Sequence, residues 1–228
     1  RAGSDELTRA RMSETATLAF TSVPDVLSRA LLLQFDRATR RVGLARGWSA
    51  PDEPRGGETA QGPSETLALG FVDLVGSTAW AEGLSLRDHS LALSRFESAA
   101  WSSAVLAGGR VVKTIGDEVF FAAPTVDVAC RIGVEVCGAA ATDPLLPPAR
   151  GAVGYGPVAA REGDYFGPLV NLVSRLAKTA EPGSLVTTEE AAAGLPVERW
   201  DLRELDSRRL RGFENRVRVF TVSPSGLH

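Results

Sequence analysis

The segment that most restricts the fold lies at residues 109–123, where two apolar runs are joined by a Gly-Asp pair. GRVVKTI and EVFFAA are rich in the β-branched and aromatic residues that favour strands. Gly116 and Asp117 between them are typical of a two-residue hairpin turn. The sequence therefore predicts two antiparallel neighbouring strands, and a sheet that is mainly antiparallel.

Strand and helix patterns alternate on both sides of this hairpin. Residues 67–73 have the pattern of a buried strand, and apolar residues recur at helical spacing over 85–106 and again over 125–141. Strand, helix, hairpin, helix, strand is the order of a ferredoxin-like split βαβ sheet, so the predicted fold class is α+β. The segments expected after it are a strand at 149–160, a helix at 168–180, and strands at 184–188, 197–205 and 216–222.

The first part of the chain differs in character. A Ser-x-Pro-Asp sequence at 22–25 is typical of a helix start, and apolar residues at steps of three or four form a stripe over 27–45. We expect residues 1–47 to be a helical dimerisation or regulatory segment, with plain capping of the core as the alternative. Residues 48–65, rich in Pro, Gly and polar side chains, are predicted to be a linker.

Composition limits the partners. The net charge of −3 gives no reason to expect binding to nucleic acid or to an anionic membrane. No apolar run reaches the roughly 20 residues that cross a bilayer, so we expect no membrane contact and a cytoplasmic location, with an anchored longer parent as an alternative. Cys130 and Cys137 are too far apart along one helix for a disulfide and are predicted to be buried thiols.

Two acidic side chains stand where predicted strands end. Asp73 closes an apolar run and Asp117 lies in the hairpin turn, and a split βαβ sheet places these strands side by side. Close carboxylates repel each other unless a cation lies between them, and Mg²⁺ or Mn²⁺ suits such oxygen ligands. Gly76, Ser77 and Thr78 add a turn whose backbone N–H groups can hold phosphate. The combination favours a metal-phosphate site, although each Asp alone is an ordinary cap or turn residue.

Three further polar residues lie in otherwise apolar segments, where both a structural and a functional role must be considered. Lys113 lies in an apolar strand, where a structural lysine would point to solvent. Asn171 and Arg175 are four residues apart and project from one face of a helix. They are either a surface pair or donors to a phosphate or a developing oxyanion.

Three motifs, taken in order, resemble the catalytic domain of class III adenylyl cyclases. They are FVDLVGST at 71–78, KTIGD at 113–117 and GDYFGPLVNLVSR at 163–175. The resemblance extends from about residue 66 to 222, roughly two thirds of the chain. It implies a class III nucleotidyl cyclase fold, with the catalytic domain at 66–223.

The resemblance implies roles for the residues at the matching positions. Asp73 and Asp117, with the backbone carbonyl of Leu74, would bind two Mg²⁺ or Mn²⁺ ions per active site. Lys113 and Asp164 would recognise adenine, because Lys can donate to N1 and Asp can accept from the 6-amino group. The guanylyl branch commonly has Glu and Cys at these two positions, so the resemblance favours ATP.

The same resemblance assigns the remaining site residues. Asn171 and Arg175 would orient the ribose and stabilise the pentavalent transition state. Family members often carry a phosphate-binding Lys near the last strands, where this chain has arginines. Arg211 is the candidate, with Arg208 or Arg209 as alternatives.

Family members of this kind act as head-to-tail dimers, with the metals on one subunit and the Lys, Asp, Asn and Arg on the other. The sequence is thus expected to form a homodimeric enzyme that converts ATP to 3′,5′-cyclic AMP and pyrophosphate. A guanylyl or mixed-specificity cyclase is one alternative. A non-catalytic nucleotide-sensing dimerisation module is the other.

Overall fold

The computed structural model describes residues 64–213 and 215–226. The predicted segment 1–47 and nearly all of the predicted linker lie outside the described residues. The elements in chain order are β1 (Ser64–Leu74), α1 (Ser77–Glu82), α2 (Leu86–Ala107), β2 (Arg110–Ile115), β3 (Glu118–Ala123), α3 (Val126–Thr142), β4 (Ala149–Arg161), β5 (Asp164–Phe166), α4 (Pro168–Ala177), β6 (Leu185–Thr188), α5 (Glu189–Ala192), β7 (Trp200–Arg208) and β8 (Val217–Pro224).

The strands form one sheet in the order β2-β3-β1-β4-β6-β8-β7, and β5 pairs with β4. Among the strands of the described residues, only β4 and β6 pair in parallel. The four strands β2-β3-β1-β4 with helices α2 and α3 reproduce the split βαβ arrangement. The predicted α+β, mainly antiparallel fold is therefore confirmed, and β6, β8 and β7 extend it.

Both faces of the sheet are covered. Helices α2 and α3 lie over one face, whose core includes Phe96, Phe121 and Ile132, together with the two predicted buried thiols. The opposite face, here called the α4 face, is covered by α4 and β5. Its core includes Phe71 and Phe120, whose rings stack 4.4 Å apart. Each strand of the hairpin thus sends alternate side chains to different layers.

The hairpin and its neighbouring helices form where the sequence signals lie. Gly116 adopts a positive φ of 63° in the predicted turn. Ser85 caps α2 by accepting a hydrogen bond from the backbone of Asp88, and Thr125 caps α3 in the same way. α2 ends at Gly108, whose φ of 86° is readily adopted only by glycine.

Helix α4 packs on the sheet more closely than a helix usually can, because β4 is rich in small residues. A Cβ on Gly154 would lie 2.5 Å from the side chain of Val173, so the helix touches the strand backbone. α4 buries Leu169, Val173 and Leu176 and begins with a proline in its first turn. The expected end at residue 180 is wrong, because the helix stops at Ala177.

The structure differs from the sequence-based expectation elsewhere as well. β1 begins two residues inside the predicted linker, since Ser64 and Glu65 already pair with β4. β7 starts at Trp200 instead of residue 197. The short β5 lies between the predicted strand at 149–160 and the predicted helix at 168–180, where no element was predicted. Among the helices of residues 64–213, no helix has the length and apolar character needed to span a membrane.

Candidate active site

A row of three charged residues crosses one end of the α4 face. Asp73 on β1 lies opposite Arg150 on β4 and opposite Glu118 on β3. Asp73 is 8% exposed, and its carboxylate accepts hydrogen bonds from Arg150 at 3.1 Å and 3.4 Å. This forked pairing is the strong form of a charge-assisted hydrogen bond. It holds the predicted metal ligand in a fixed orientation at the edge of the site.

Glu118 brings a second carboxylate to the same row. Burial raises its pKa, Asp73 and Asp117 add to the rise, and Lys178 opposes it. The Lys178 ammonium lies 3.6 Å from Glu118 Oε2, which is buried and has no hydrogen-bond partner among the described residues. Negative charge is therefore in excess at this end of the sheet, which is where a cation would be held.

The hairpin turn brings Asp117 to the same place. Its backbone carbonyl accepts a hydrogen bond from the Leu74 N–H at 3.3 Å, so the turn is fixed beside the end of β1. Gly76 follows with a φ of 66° and leads into α1, which opens with Ser77 and Thr78. The structure thus places the predicted carboxylates and the predicted phosphate turn around one strand end.

The donor set fits a hard divalent cation. Asp73 and Asp117 offer carboxylate oxygens and Leu74 a backbone carbonyl, the ligand types that Mg²⁺ binds in proteins. No three His, Cys, Asp or Glu side chains in the described part of the chain are arranged to hold a metal ion. Mg²⁺ does not require three, because it commonly keeps water and substrate phosphate in its coordination shell.

A second cluster lies on the α4 face at the β2 edge of the sheet, level with Phe120 and Phe71. Lys113 on β2 forms an ion pair with Asp164 on β5, and these side chains are 43% and 26% exposed. The Lys113 ammonium also lies 5.9 Å from the ring centre of Phe120. Asp164 Oδ1 accepts a hydrogen bond from the Tyr165 backbone at 2.8 Å. The two residues expected to recognise a purine are therefore in contact, although 51 positions separate them in sequence.

The exposed face of α4 carries the two predicted donors. Asn171 and Arg175 are both exposed and lie one turn apart. Arg175 donates a hydrogen bond to the backbone carbonyl of Arg211 and lies 5.6 Å above the ring of Phe213. The structure thus places Arg211, the predicted phosphate-binding residue, beside Arg175. Of the two alternatives, Arg208 ends β7 and has a buried Nε with no partner among the described residues.

Sequence reasoning missed Arg150, Glu118 and Lys178. No local pattern singles them out, because Arg150 looks like an ordinary residue at a strand start and Lys178 like a helix-end lysine. The signal that could have found the first two is strand register. Once β1 is paired with β3 and β4, Arg150 and Glu118 are the direct neighbours of Asp73.

Comparison with known proteins identifies this arrangement. The chain is 33% identical over 187 residues to an adenylate cyclase from Glutamicibacter nicotianae, a match that covers 81% of this chain and 46% of that protein. The adenylyl cyclase CyaB from P. aeruginosa superposes with a TM-score of 0.63 at 20% identity, over 71% of this chain and 95% of that chain. No protein-family profile matches the chain.

A third comparison agrees on the fold. The guanylate cyclase domain of RhGC from Catenaria anguillulae, solved in complex with GTP, superposes with a TM-score of 0.65 at 20% identity, over 71% of this chain and 98% of that chain. The fold and the site together define a class III cyclase catalytic domain. The chain belongs to the class III nucleotidyl cyclase family, as its motifs implied. It spans about half the length of the curated relative it matches.

Proposed function

We propose that the chain is an adenylyl cyclase, which converts ATP to 3′,5′-cyclic AMP and pyrophosphate at composite sites of a head-to-tail homodimer. The observation that carries the choice of ATP is the contact between Lys113 and Asp164. A lysine can only donate and a carboxylate can only accept, so the pair matches N1 and the 6-amino group of adenine. The name of the relative from Glutamicibacter nicotianae supports the same reaction.

The acidic end of the α4 face would bind the divalent cations and the phosphates. Asp73, Asp117 and the Leu74 carbonyl would hold two Mg²⁺ or Mn²⁺ ions. When bound, such ions make the ribose 3′-hydroxyl a better nucleophile and neutralise charge at the α-phosphorus. Arg150 lies directly beside Asp73, and its fork of N–H groups is suited to a phosphate oxygen.

The exposed face of α4 would act on the transition state. Arg175 would donate to the α-phosphate oxygens as negative charge develops on them, and Asn171 would orient the ribose. Gly76, Ser77 and Thr78 would hold the triphosphate with backbone donors, and Arg211 would add a cation beside Arg175. In the proposed dimer, α4 of one protomer faces the carboxylates of the other, so each site is complete only when two chains meet.

The test is turnover of ATP and GTP measured side by side with Mg²⁺ and then with Mn²⁺. We expect cyclic AMP as the product and a kcat/KM for ATP that exceeds the value for GTP by at least about tenfold. Lys113→Met should lower kcat/KM for ATP by roughly 10- to 100-fold, because the donor to N1 is lost. Arg161→Met is the control, since it also removes one positive charge from this region and Arg161 is 78% exposed.

Two results would refute the proposal in different ways. Preference for GTP would show that Lys113 and Asp164 do not select adenine. Tight binding of ATP with Mg²⁺ but no cyclic product from either nucleotide would identify a non-catalytic nucleotide-binding module.

A further inference from the structure

The two walls of the proposed purine pocket belong to distant parts of the sheet. Lys113 is on β2, whereas Asp164 is on β5, which pairs only with the end of β4 among the described strands. In the structure the walls touch through the Lys113–Asp164 ion pair. If these residues bind adenine, as the proposed function requires, N1 and the 6-amino group on one edge of the base must meet both of them at once. The two side chains then share their hydrogen bonds with the base, and a second contact between the walls would help to keep the spacing that this edge needs.

A second contact joins the same two strands. Arg110 lies three residues before Lys113 on β2, and its guanidinium is 4.7 Å from the ring centre of Tyr165, the residue after Asp164. A planar guanidinium over an aromatic face is the favoured cation–π geometry, and a lysine cannot reproduce the stacking. The ring of Tyr165 is buried, with 7% of the residue exposed, so the contact is shielded from water.

The Arg110 guanidinium is held in this position by its stacking contact and its burial. Its Nη1 is buried and finds no hydrogen-bond acceptor among the described residues. Leaving a buried donor unpaired is unfavourable, and the stack on Tyr165 is the contact that the structure shows for this guanidinium. Hydrogen bonding alone therefore does not explain the position of this guanidinium. Its stacking partner is the residue whose backbone N–H donates to the neighbouring carboxylate.

Tyr165 connects the stack to the specificity residue. Its backbone N–H donates to Asp164 Oδ1 at 2.8 Å, which leaves Oδ2 to meet Lys113 or a substrate amino group. β5 has three residues, and the turn before it contains Glu162 and Gly163, both with positive φ. Such a short strand has little intrinsic rigidity. A shift of the Tyr165 ring would move the backbone N–H and the carboxylate that it holds.

We propose that Arg110 is a positioning residue for nucleobase discrimination. By stacking on Tyr165 it keeps Asp164 at the correct distance from β2 while Asp164 and Lys113 share their hydrogen bonds with the base. Arg110 acts through Tyr165 and does not contact the reacting atoms. The inference rests on the proposed function, because it takes Lys113 and Asp164 as the two walls of the purine pocket. It concerns the spacing of these walls and therefore applies whether the pocket prefers adenine or guanine.

The experiment compares variants at both ends of the stack. Arg110→Met keeps an unbranched apolar stem but removes the cation, and Arg110→Lys keeps the charge but removes the planar group. Tyr165→Phe keeps the ring, whereas Tyr165→Leu removes it. Arg161→Met again removes one exposed positive charge from β4 and serves as the matched control. Circular dichroism and thermal melting establish that each variant folds.

The readouts are equilibrium binding of ATP and of GTP with Mg²⁺, and kcat and KM for each nucleotide. We expect Arg110→Met and Tyr165→Leu each to reduce the wild-type purine preference by about threefold to tenfold, through KM more than kcat. Arg110→Lys should lie between Arg110→Met and wild type. Tyr165→Phe and Arg161→Met should keep the wild-type preference. The double variant Arg110→Met/Tyr165→Leu should lose no more than either single variant, because both remove the same contact.

Three outcomes would overturn the inference. The first is an unchanged purine preference in folded Arg110→Met, or in Arg110→Lys if the Met variant does not fold. The second is full additivity of the two single changes. The third is a wild-type chain with no purine preference at all, which would overturn the proposed function as well. A wild-type preference for GTP that Arg110→Met abolishes would instead refute the choice of ATP and retain the role of Arg110.

Discussion

The composite site is open to a complementation experiment in which each of two variants is defective in a different half. Asp73 would belong to the carboxylate half of one site, and Arg175 to the donor half of the other. Asp73 is paired with Arg150, and both side chains are largely buried. Asp73→Ala would leave that guanidinium without a partner, a loss that can cost about 3–5 kcal/mol for a buried pair. Asp73→Asn is the better choice, because the amide oxygen still accepts from Arg150.

Arg175→Met follows the same reasoning. The guanidinium of Arg175 lies over the ring of Phe213 and donates to the backbone carbonyl of Arg211. Methionine keeps an unbranched apolar side chain at this position and removes the donor. Loss of one preorganised donor to a developing oxyanion typically lowers kcat by about 10²- to 10³-fold. Each variant alone should therefore be nearly inactive but folded.

Mixing the two variants should restore activity by an amount that dimer symmetry fixes. Random exchange of equal amounts makes about half of the dimers mixed, and each mixed dimer has one intact site of two. The expected activity is about a quarter of wild type. If each site were contained in one chain, mixing would restore nothing. The assay is cyclic AMP formation after subunit exchange, with native mass spectrometry to measure the mixed dimers.

A cis control separates the two arrangements further. The double variant Asp73→Asn/Arg175→Met is mixed with an equal amount of wild type. Composite sites leave both sites of every mixed dimer broken, so about a quarter of the activity of undiluted wild type remains. Sites within single chains would leave about half. No recovery in the first mixture and half activity in the second, with mixed dimers present, would refute the composite site.

Two further predictions concern the core. Gly70→Ala should unfold the domain or lower its free energy of unfolding by roughly 1–3 kcal/mol, because the new Cβ would lie 2.0 Å from the Phe121 ring. Gly138 lies in open space on α3, so Gly138→Ala should raise the free energy of unfolding by about 0.5–1 kcal/mol. Urea denaturation measures both, and equal effects would contradict the packing argument. Burial raises the pKa of Cys130 and Cys137 to about 12, so on the order of one thiol in ten thousand is ionised at pH 8. Iodoacetamide should therefore label both in urea and neither in the native chain; rapid native labelling, detected by mass spectrometry, would contradict this.

The fold was predictable where local signals are strong. The Gly116–Asp117 turn sits between two clear apolar runs, and the observed hairpin strands begin and end within one residue of the expected ones. The helices expected at 85–106 and 125–141 are each displaced by a single residue. Periodicity and capping suffice in these segments because tertiary contacts reinforce the local preference.

The site was only partly predictable, because the residues that the sequence analysis missed are brought to the site by strand register and not by a local motif. Lys113 and Asp164 were named from motifs, and their contact is a property of the folded sheet. Arg150 has no local feature that distinguishes it, and only the pairing of β1 with β4 places it beside Asp73. β5 was missed for a similar reason. Three residues carry too little pattern to predict a strand, and its partner lies at the end of another long strand.

The length of β4 has a consequence for how this enzyme family can change. One end of the strand carries Arg150 beside Asp73, and the other end holds β5 with Asp164. An insertion or deletion of one residue between them would turn every later side chain to the opposite side of the sheet. A change in the length of β4 is therefore expected to displace Asp164, whereas a substitution at either end of the strand leaves the alternation of side chains intact.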